Sequence, residues 1–282
     1  LIFNFNGTAG IWRKEAIVSA GGWKHHTLTE DLELSYRVAL KGWKFIYLCD
    51  QKVPAELPAQ TLSFKAQQLR WAKGAIQTAK HLLPQILGSK RSLAQKREAC
   101  IHLCSNLAYP LTLLLVLMLP FAVVHRQSTE LELIVFGASF ICICSFYTMA
   151  ILRSTRPLTS LWLVPLTLSL GVGLAVQQTG AVLSGLFGND LHFVRTPKSG
   201  VKQINYTPPK TSSSAVEFCF GLYTAGTAAW LVHLELYGAL PITMLFCTGF
   251  LYLSTTAFLD QRNSQHVSQD KNIAKDPALP AS

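Results

Sequence analysis

Three short stretches of this sequence carry residue types that can do chemistry. Thr29-Glu30-Asp31 sets two adjacent carboxylates, with Glu33 close behind, in one turn of a strongly basic chain of net charge +10. Gln67-Gln68-Leu69-Arg70-Trp71 places an amide, a guanidinium and an indole at i, i+3 and i+4, so all three share one face of a helix. Asn6-Gly7-Thr8 is a polar glycine loop. A carboxylate within hydrogen-bond reach of a hydroxyl takes its proton. A guanidinium compensates charge on an anion, an indole offers a flat apolar face, and an amide both donates and accepts. Each stretch also has a plain structural reading. Carboxylates at a helix start complement the helix dipole for less than about 1 kcal/mol, and adjacent Arg and Trp suit an interfacial helix, where Trp anchors and Arg snorkels.

The elements that must position these residues follow from periodicity and punctuation. In "IWRKEAIVSAGGW", Trp12, Ile17 and Ala20 fall on a short helix that Gly21 and Gly22 end as left-handed caps. In "TLTEDLELSYRVALKGW", Thr27 or Thr29 caps a second helix, Thr27 and Glu30 have capping-box spacing, and Leu32, Tyr36, Ala39 and Leu40 line one face until Gly42. "WKFIYL" predicts a strand. After the loop from Pro54 to Pro58, a long helix starts near Thr61 and carries Gln67, Arg70 and Trp71.

The chain has 282 residues, of which 50% are hydrophobic and only 14% charged, with a mean hydropathy of +0.29. A soluble domain carries roughly a quarter charged residues, so this chain is too apolar to be wholly soluble. Up to Arg97 it alternates like a globular domain, and from His102 to Leu259 long stretches run nearly without charge. A bilayer core needs about 20 apolar residues per helix, and the windows 103–124, 131–152, 215–236 and 239–259 qualify. Arg153 and Arg156 follow the second span, and Arg195, Lys198, Lys202 and Lys210 lie between 191 and 214. By the positive-inside rule both basic loops face the cytosol with the aqueous part. A single crossing by 158–188 would separate those loops, so that segment is expected to be re-entrant or interfacial, in keeping with Gly171, Gly173, Gln177, Gln178 and Gly180. The polar tail 261–282 is expected to be disordered.

The seven cysteines form no CxxC pair and mostly sit in or beside apolar runs, which predicts free, lipid-buried thiols and no metal site in this chain. No basic n-region and h-region open the sequence. The aqueous part, roughly 90 residues, is short for an α/β catalytic domain, and the chain is expected to be part of a longer protein.

The three stretches, in this order and followed by membrane helices, resemble the inverting glycosyltransferases of family 2. The likeness is to the processive polysaccharide synthases, which include cellulose synthases and the cellulose-synthase-like mannan synthases. It covers 1 to about 90 and resumes at "FVRTPKSG". "FNGTAGIWR", "GGW", "GWKF" and "ELP" lean towards the mannan synthase branch. The resemblance implies the α/β C-terminal half of a GT-A-type glycosyltransferase domain over 1–88, an interfacial linker over 89–101, and an α-helical transmembrane bundle over 102–260.

It further implies that Asp31 is the general base, flanked by Glu30 and Thr29, and that Gln67, Arg70 and Trp71 border donor pyrophosphate and acceptor sugar. The loop of Asn6, Gly7 and Thr8 would lie on the acceptor side. Within 189–214, Phe193, Thr196 and Lys198 match a gating loop over the nucleotide, with Arg195 where that pattern has Val. The substrates implied are a UDP- or GDP-hexose and a growing β-glycan, at a cytosolic active site in the cytoplasmic membrane, or the Golgi membrane in a eukaryote. A divalent cation, Mg or Mn, is implied as well. The family's DxD metal ligands have no match in this chain, which places them outside it and predicts that this part alone is inactive. A transferase making single additions to a lipid-linked sugar would share Asp31, and product length separates the two. A transporter or channel is disfavoured because the clear spans hold almost no charge beyond His233 and Glu235 near one end. The basic loops suit anionic lipid and pyrophosphate, so no nucleic-acid partner is expected.

Overall fold

The computed structural model describes residues 4–5, 7–48, 50–124, 130–153, 158–188, 191 and 213–273. The chain divides into two compact units. One comprises Leu1–Pro110, Gln177–Thr211 and Asp260–Ser282, and the other Leu111–Val176 and Ser212–Leu259.

In the first unit, α1 (Lys14–Ser19) ends as its glycines predict. The N–H of Gly22 donates to Ile17 O at 2.9 Å, with Gly21 at φ +84° and Gly22 at +74°. Helix α2 (Glu30–Leu40) is buried on two sides. Leu34 and Val38 pack on Ala16 and Ala20 of α1, while Leu32 and Tyr36 pack on Ala75, Ala79, Leu82 and Ile86 of α3 (Thr61–Gly88) and on Ala99 and Leu103 of α4 (Leu93–Cys104). Each such large side chain contributes about 1.5–3 kcal/mol on full burial. The Tyr36 hydroxyl meets His102 Nδ1 at 2.7 Å, which ties α2 to α4.

A helix buried on both sides must neutralise any charge it carries. Glu33 and Arg37, one turn apart, do this for each other: Nε and Nη2 of Arg37 donate to the two Glu33 oxygens at 2.7 Å each. Arg37 also donates to the carbonyls of Ala20 and Gly22 and so clamps the end of α1. His26 Nε2 stands 3.4 Å from Glu33.

Two local expectations need correction. Neither Thr27 nor Thr29 caps α2 with its side chain: Thr29 is the N-cap residue, yet its hydroxyl makes no hydrogen bond there because the side chain is packed against α3. The Asp31 carboxylate takes over part of that role, accepting from Leu32 N–H at 2.8 Å. The second concerns the strand expected over 43–48. Trp43–Leu48 belongs to no strand, and neither does any other described residue, so the α/β class expected for this region is not shown by them. Alternation of apolar residues prepares a strand, but only ladder hydrogen bonds to a neighbour make one. Ile46, Tyr47 and Leu48 remain largely exposed.

Helix α8 (Ala175–Phe187) reaches into the same unit and runs along α3: Gln177 Nε2 donates to Lys65 O at 3.0 Å, and Lys80 Nζ donates to Leu186 O at 2.9 Å. Between those points Gly185 lets the backbones approach, since a Cβ there would sit 3.0 Å from Ile76. The first turn of α3 is satisfied by Asp260, which accepts from Leu62 N–H at 3.2 Å.

The second unit holds most of α5 (Ala108–Val124), α6 (Glu130–Leu152), α7 (Leu163–Gly173), α9 (Ser213–His233) and α10 (Leu240–Ile273). Its helices meet at small residues, as apolar surroundings favour. Gly173 lies against Gly249, Gly221 against Leu251, and the hydroxyls of Ser169 and Thr248 pair at 3.1 Å. Among the described residues, three helical stretches are long and apolar enough to cross a membrane: Leu93–Ala122, Ser213–His233 and Tyr237–Asn263. The described apolar part of α6, Gly137–Leu152, is shorter. α7 and α8 qualify only as a pair bent by 47°, a broken span or a re-entrant loop.

Candidate active site

Asp31 sits in the first turn of α2, half buried, with its two carboxylate oxygens used differently. Oδ1 accepts from Leu32 N–H, and Oδ2 faces Gly7, where a Cβ would come within 2.9 Å of it. Gly7 at φ +73° and Ala9 at φ +58° fold their loop back towards α2. Ala9, as a residue with a Cβ, holds that left-handed conformation at a cost of about 1–2 kcal/mol. The loop is fastened to α2 through Ser35, which is fully buried: its Oγ accepts from Phe5 N–H at 2.9 Å and donates to the Asp31 carbonyl at 2.7 Å. Phe5 in turn packs edge-on against Trp12 at 5.6 Å.

Burial pushes the Asp31 carboxyl above its ordinary value of 3.8. The negative charge of Glu30 adds to the rise, while the Leu32 N–H and the Arg70 guanidinium oppose it. A carboxylate whose pKa lies nearer neutrality is a better proton acceptor at working pH. Glu30 itself is exposed at the helix start, where it bears on Asp31 electrostatically.

On α3, Gln67 and Arg70 are half buried and Trp71 is 48% exposed, leaving its ring available to a flat apolar partner. The tip of α2 rests on the next turn of that helix: Leu28 N–H donates to Gln77 Oε1 at 3.0 Å in a buried contact, and the Thr29 side chain fills the space where Gly74 lacks a Cβ. The fold therefore brings the Thr29-Glu30-Asp31 turn, the Gly7-Thr8 loop and the Arg70 face together within one unit. Thr8 is exposed on that loop. Asn6 and the four gating-loop residues Phe193, Arg195, Thr196 and Lys198 lie outside the described residues.

The arrangement rests on Ser35, Gly74 and Gln77, which sequence reading did not single out. Only Gly74 carried a signal, because a glycine in a helix interior costs about 1 kcal/mol and implies a close packing partner. Among the described residues no group of three or more His, Cys, Asp or Glu side chains gathers that could hold a metal ion.

Residues 3–176 match the family model "Glycosyl transferase family group 2". The chain is 44% identical over 104 residues to glucomannan 4-beta-mannosyltransferase 1 of Oryza sativa subsp. japonica, covering 37% of this chain and 19% of that protein. It is 32% identical over 211 residues to the probable glucomannan 4-beta-mannosyltransferase 3 of the same plant, covering 70% of this chain and 36% of the relative. Against glucomannan 4-beta-mannosyltransferase 2 of Arabidopsis thaliana it is 44% identical over 100 residues, covering 36% of this chain and 19% of the relative. The aligned region thus spans between about a fifth and about a third of the length of these relatives. With the family match covering more than half of its residues, the chain belongs to glycosyl transferase family group 2.

Proposed function

We propose that the full protein to which this chain belongs is a membrane-embedded inverting glycosyltransferase. It transfers a hexose from a nucleoside-diphosphate sugar to a growing β-glycan of the mannan or glucomannan kind. The observation that carries the reading is a half-buried carboxylate, Asp31, under the influence of the Arg70 guanidinium, on a helix tip seated against the helix that exposes Trp71. Similarity to glucomannan 4-beta-mannosyltransferases supports the choice of polymer.

In this mechanism Asp31 takes the proton of the acceptor hydroxyl as its oxygen forms a bond to the anomeric carbon. The bond from that carbon to the diphosphate oxygen breaks in the same displacement, and the nucleoside diphosphate leaves with the electron pair. Arg70 compensates the charge that develops on it. Single displacement converts an α-linked donor into a β-linkage. Trp71 lends its exposed ring to the axial C–H face of the acceptor pyranose and Gln67 hydrogen-bonds its hydroxyls, while Gly7 and Thr8, with Asn6, border the acceptor. Phe193, Arg195, Thr196 and Lys198 close over the nucleotide, and the polymer leaves through the helices of the second unit. The active site faces the cytosol from the cytoplasmic or Golgi membrane.

Asp31→Asn in the full-length enzyme tests the reading. Loss of a general base lowers the rate by roughly 10² to 10⁴ while sparing ground-state binding. Sugar incorporation in membranes should therefore collapse with nucleoside-diphosphate affinity nearly unchanged. A variant keeping more than about a tenth of the rate would remove Asp31 from this role.

A further inference from the structure

We infer that Gly74 and Gln77 are positioning residues for the transfer. They form the seat on α3 that sets where the general base stands relative to the groups that hold the donor. The inference rests on the function proposed above. Gly74 lies one turn beyond Arg70, and Gln77 three residues further, so the seat continues the face that carries Gln67 and Arg70. Leu28 N–H reaches Gln77 Oε1 at 3.0 Å across 49 residues of sequence. Where Gly74 would bear a Cβ, Thr29 Cγ2 already stands at 2.5 Å and Thr29 Cβ at 2.9 Å. The space is filled by the branch point of a side chain two residues before Asp31 and not by a flexible end that can swing aside.

The consequence is directional. An alanine at 74 leaves α3 in place, and with it Gln67, Arg70 and Trp71, but pushes Thr29 and the tip of α2 off the helix. Restoring ordinary contact requires a shift of about half an ångström or more. Asp31, two residues on, belongs to that tip, and its Oδ2 is close to Gly7, where a Cβ would lie 2.9 Å away. A misplacement of about 1 Å at a reacting group costs on the order of 10² in rate. The step that depends on Asp31 should therefore slow, while binding of the nucleotide to the undisturbed α3 face should not change.

The test uses the full-length enzyme in membranes, with turnover expressed per nucleotide-binding site from titration with the nucleoside diphosphate. Gly74→Ala should lower kcat about 10- to 100-fold, with KM for the donor and Kd for the nucleoside diphosphate within a few-fold. Gly88→Ala, on the same helix with open space around its Cβ, should change neither. Adding Thr29→Gly to Gly74→Ala empties the contested space, and glycine serves an N-cap position almost as well as threonine, so much of the lost rate should return. Should Gly74→Ala yield too few sites to count, Gln77→Met removes the acceptor for Leu28 N–H and should itself lower kcat without weakening nucleotide binding. Turnover per site unchanged in both variants, or a loss in Gly74→Ala that Thr29→Gly does not relieve, overturns the inference. If Asp31→Asn is inactive while Gly74→Ala and Gln77→Met run normally, the seat alone is refuted. If Asp31→Asn is active as well, the proposed function falls with it.

Discussion

Removing Arg37 should cost this protein far more than a surface arginine would. The side chain is 8% exposed and makes four hydrogen bonds, two to the Glu33 carboxylate and one each to the carbonyls of Ala20 and Gly22. In Arg37→Met the methylene volume is largely kept, but Glu33, 1% exposed, loses both guanidinium hydrogen bonds and keeps the His26 ring nitrogen at 3.4 Å. Breaking one partner of a buried pair costs about 3–5 kcal/mol, against roughly 0.2–1 kcal/mol for an exposed pair. Since Asp31 lies in the first turn of α2 and this arginine clamps α2 to α1, the loss falls on the helix that carries the proposed general base. At about 2–4 °C per kcal/mol for a cooperative unit of about 150–250 residues, the temperature of half-inactivation should drop by roughly 6–20 °C. Heating full-length enzyme in membranes and assaying residual sugar transfer measures it. The double variant Glu33→Leu with Arg37→Met leaves no orphaned charge, and should recover more than about 2 kcal/mol relative to the sum of the single variants. A single variant that loses under about 1 kcal/mol, or a double variant as poor as that sum, would show that the pair is a solvated ornament of α2 and the burial argument wrong.

The rate should fall as pH drops through the raised pKa of Asp31, giving kcat an acid limb centred above 3.8 that Arg70→Gln moves higher and Glu30→Gln moves lower. A limb unmoved by either change would mean that another group titrates. A folded-state pKa above the unfolded value favours the fold below the unfolded value, and that contribution is lost as pH rises through the folded one. Asp31→Asn should consequently be no less heat-stable than the parent at pH 7, as thermal inactivation of nucleotide binding can check. Trp71→Ala should cut polymer yield severely yet leave the nucleoside-diphosphate Kd within a few-fold, whereas Arg70→Ala weakens both. Equal loss of nucleotide affinity in the two variants would assign Trp71 to the fold.

What sequence alone determined was local chemistry and local geometry. The face shared by Gln67, Arg70 and Trp71 follows from helical spacing, the ends of α1 and α2 from Gly21, Gly22 and Gly42, the start of α3 near Thr61 from its flanking loop, and the apolar spans from windows that need no partner to be recognised. Each is a property of neighbours in the chain. Tertiary structure decided what depends on partners far away in sequence. Trp43–Leu48 has a strand's pattern but forms no strand among the described residues, because ladder hydrogen bonds are supplied by another segment. Thr29 has a cap's chemistry, but Gly74, 45 positions on, holds its side chain elsewhere. Glu33 looks like one more dipole-complementing acid until the packing of α1 and α3 on both sides of α2 buries it and makes Arg37 its necessary partner. The proton affinity of Asp31 was set in the same way, since burial and the charge of Arg70 converge on one carboxylate only when the two helices are brought together.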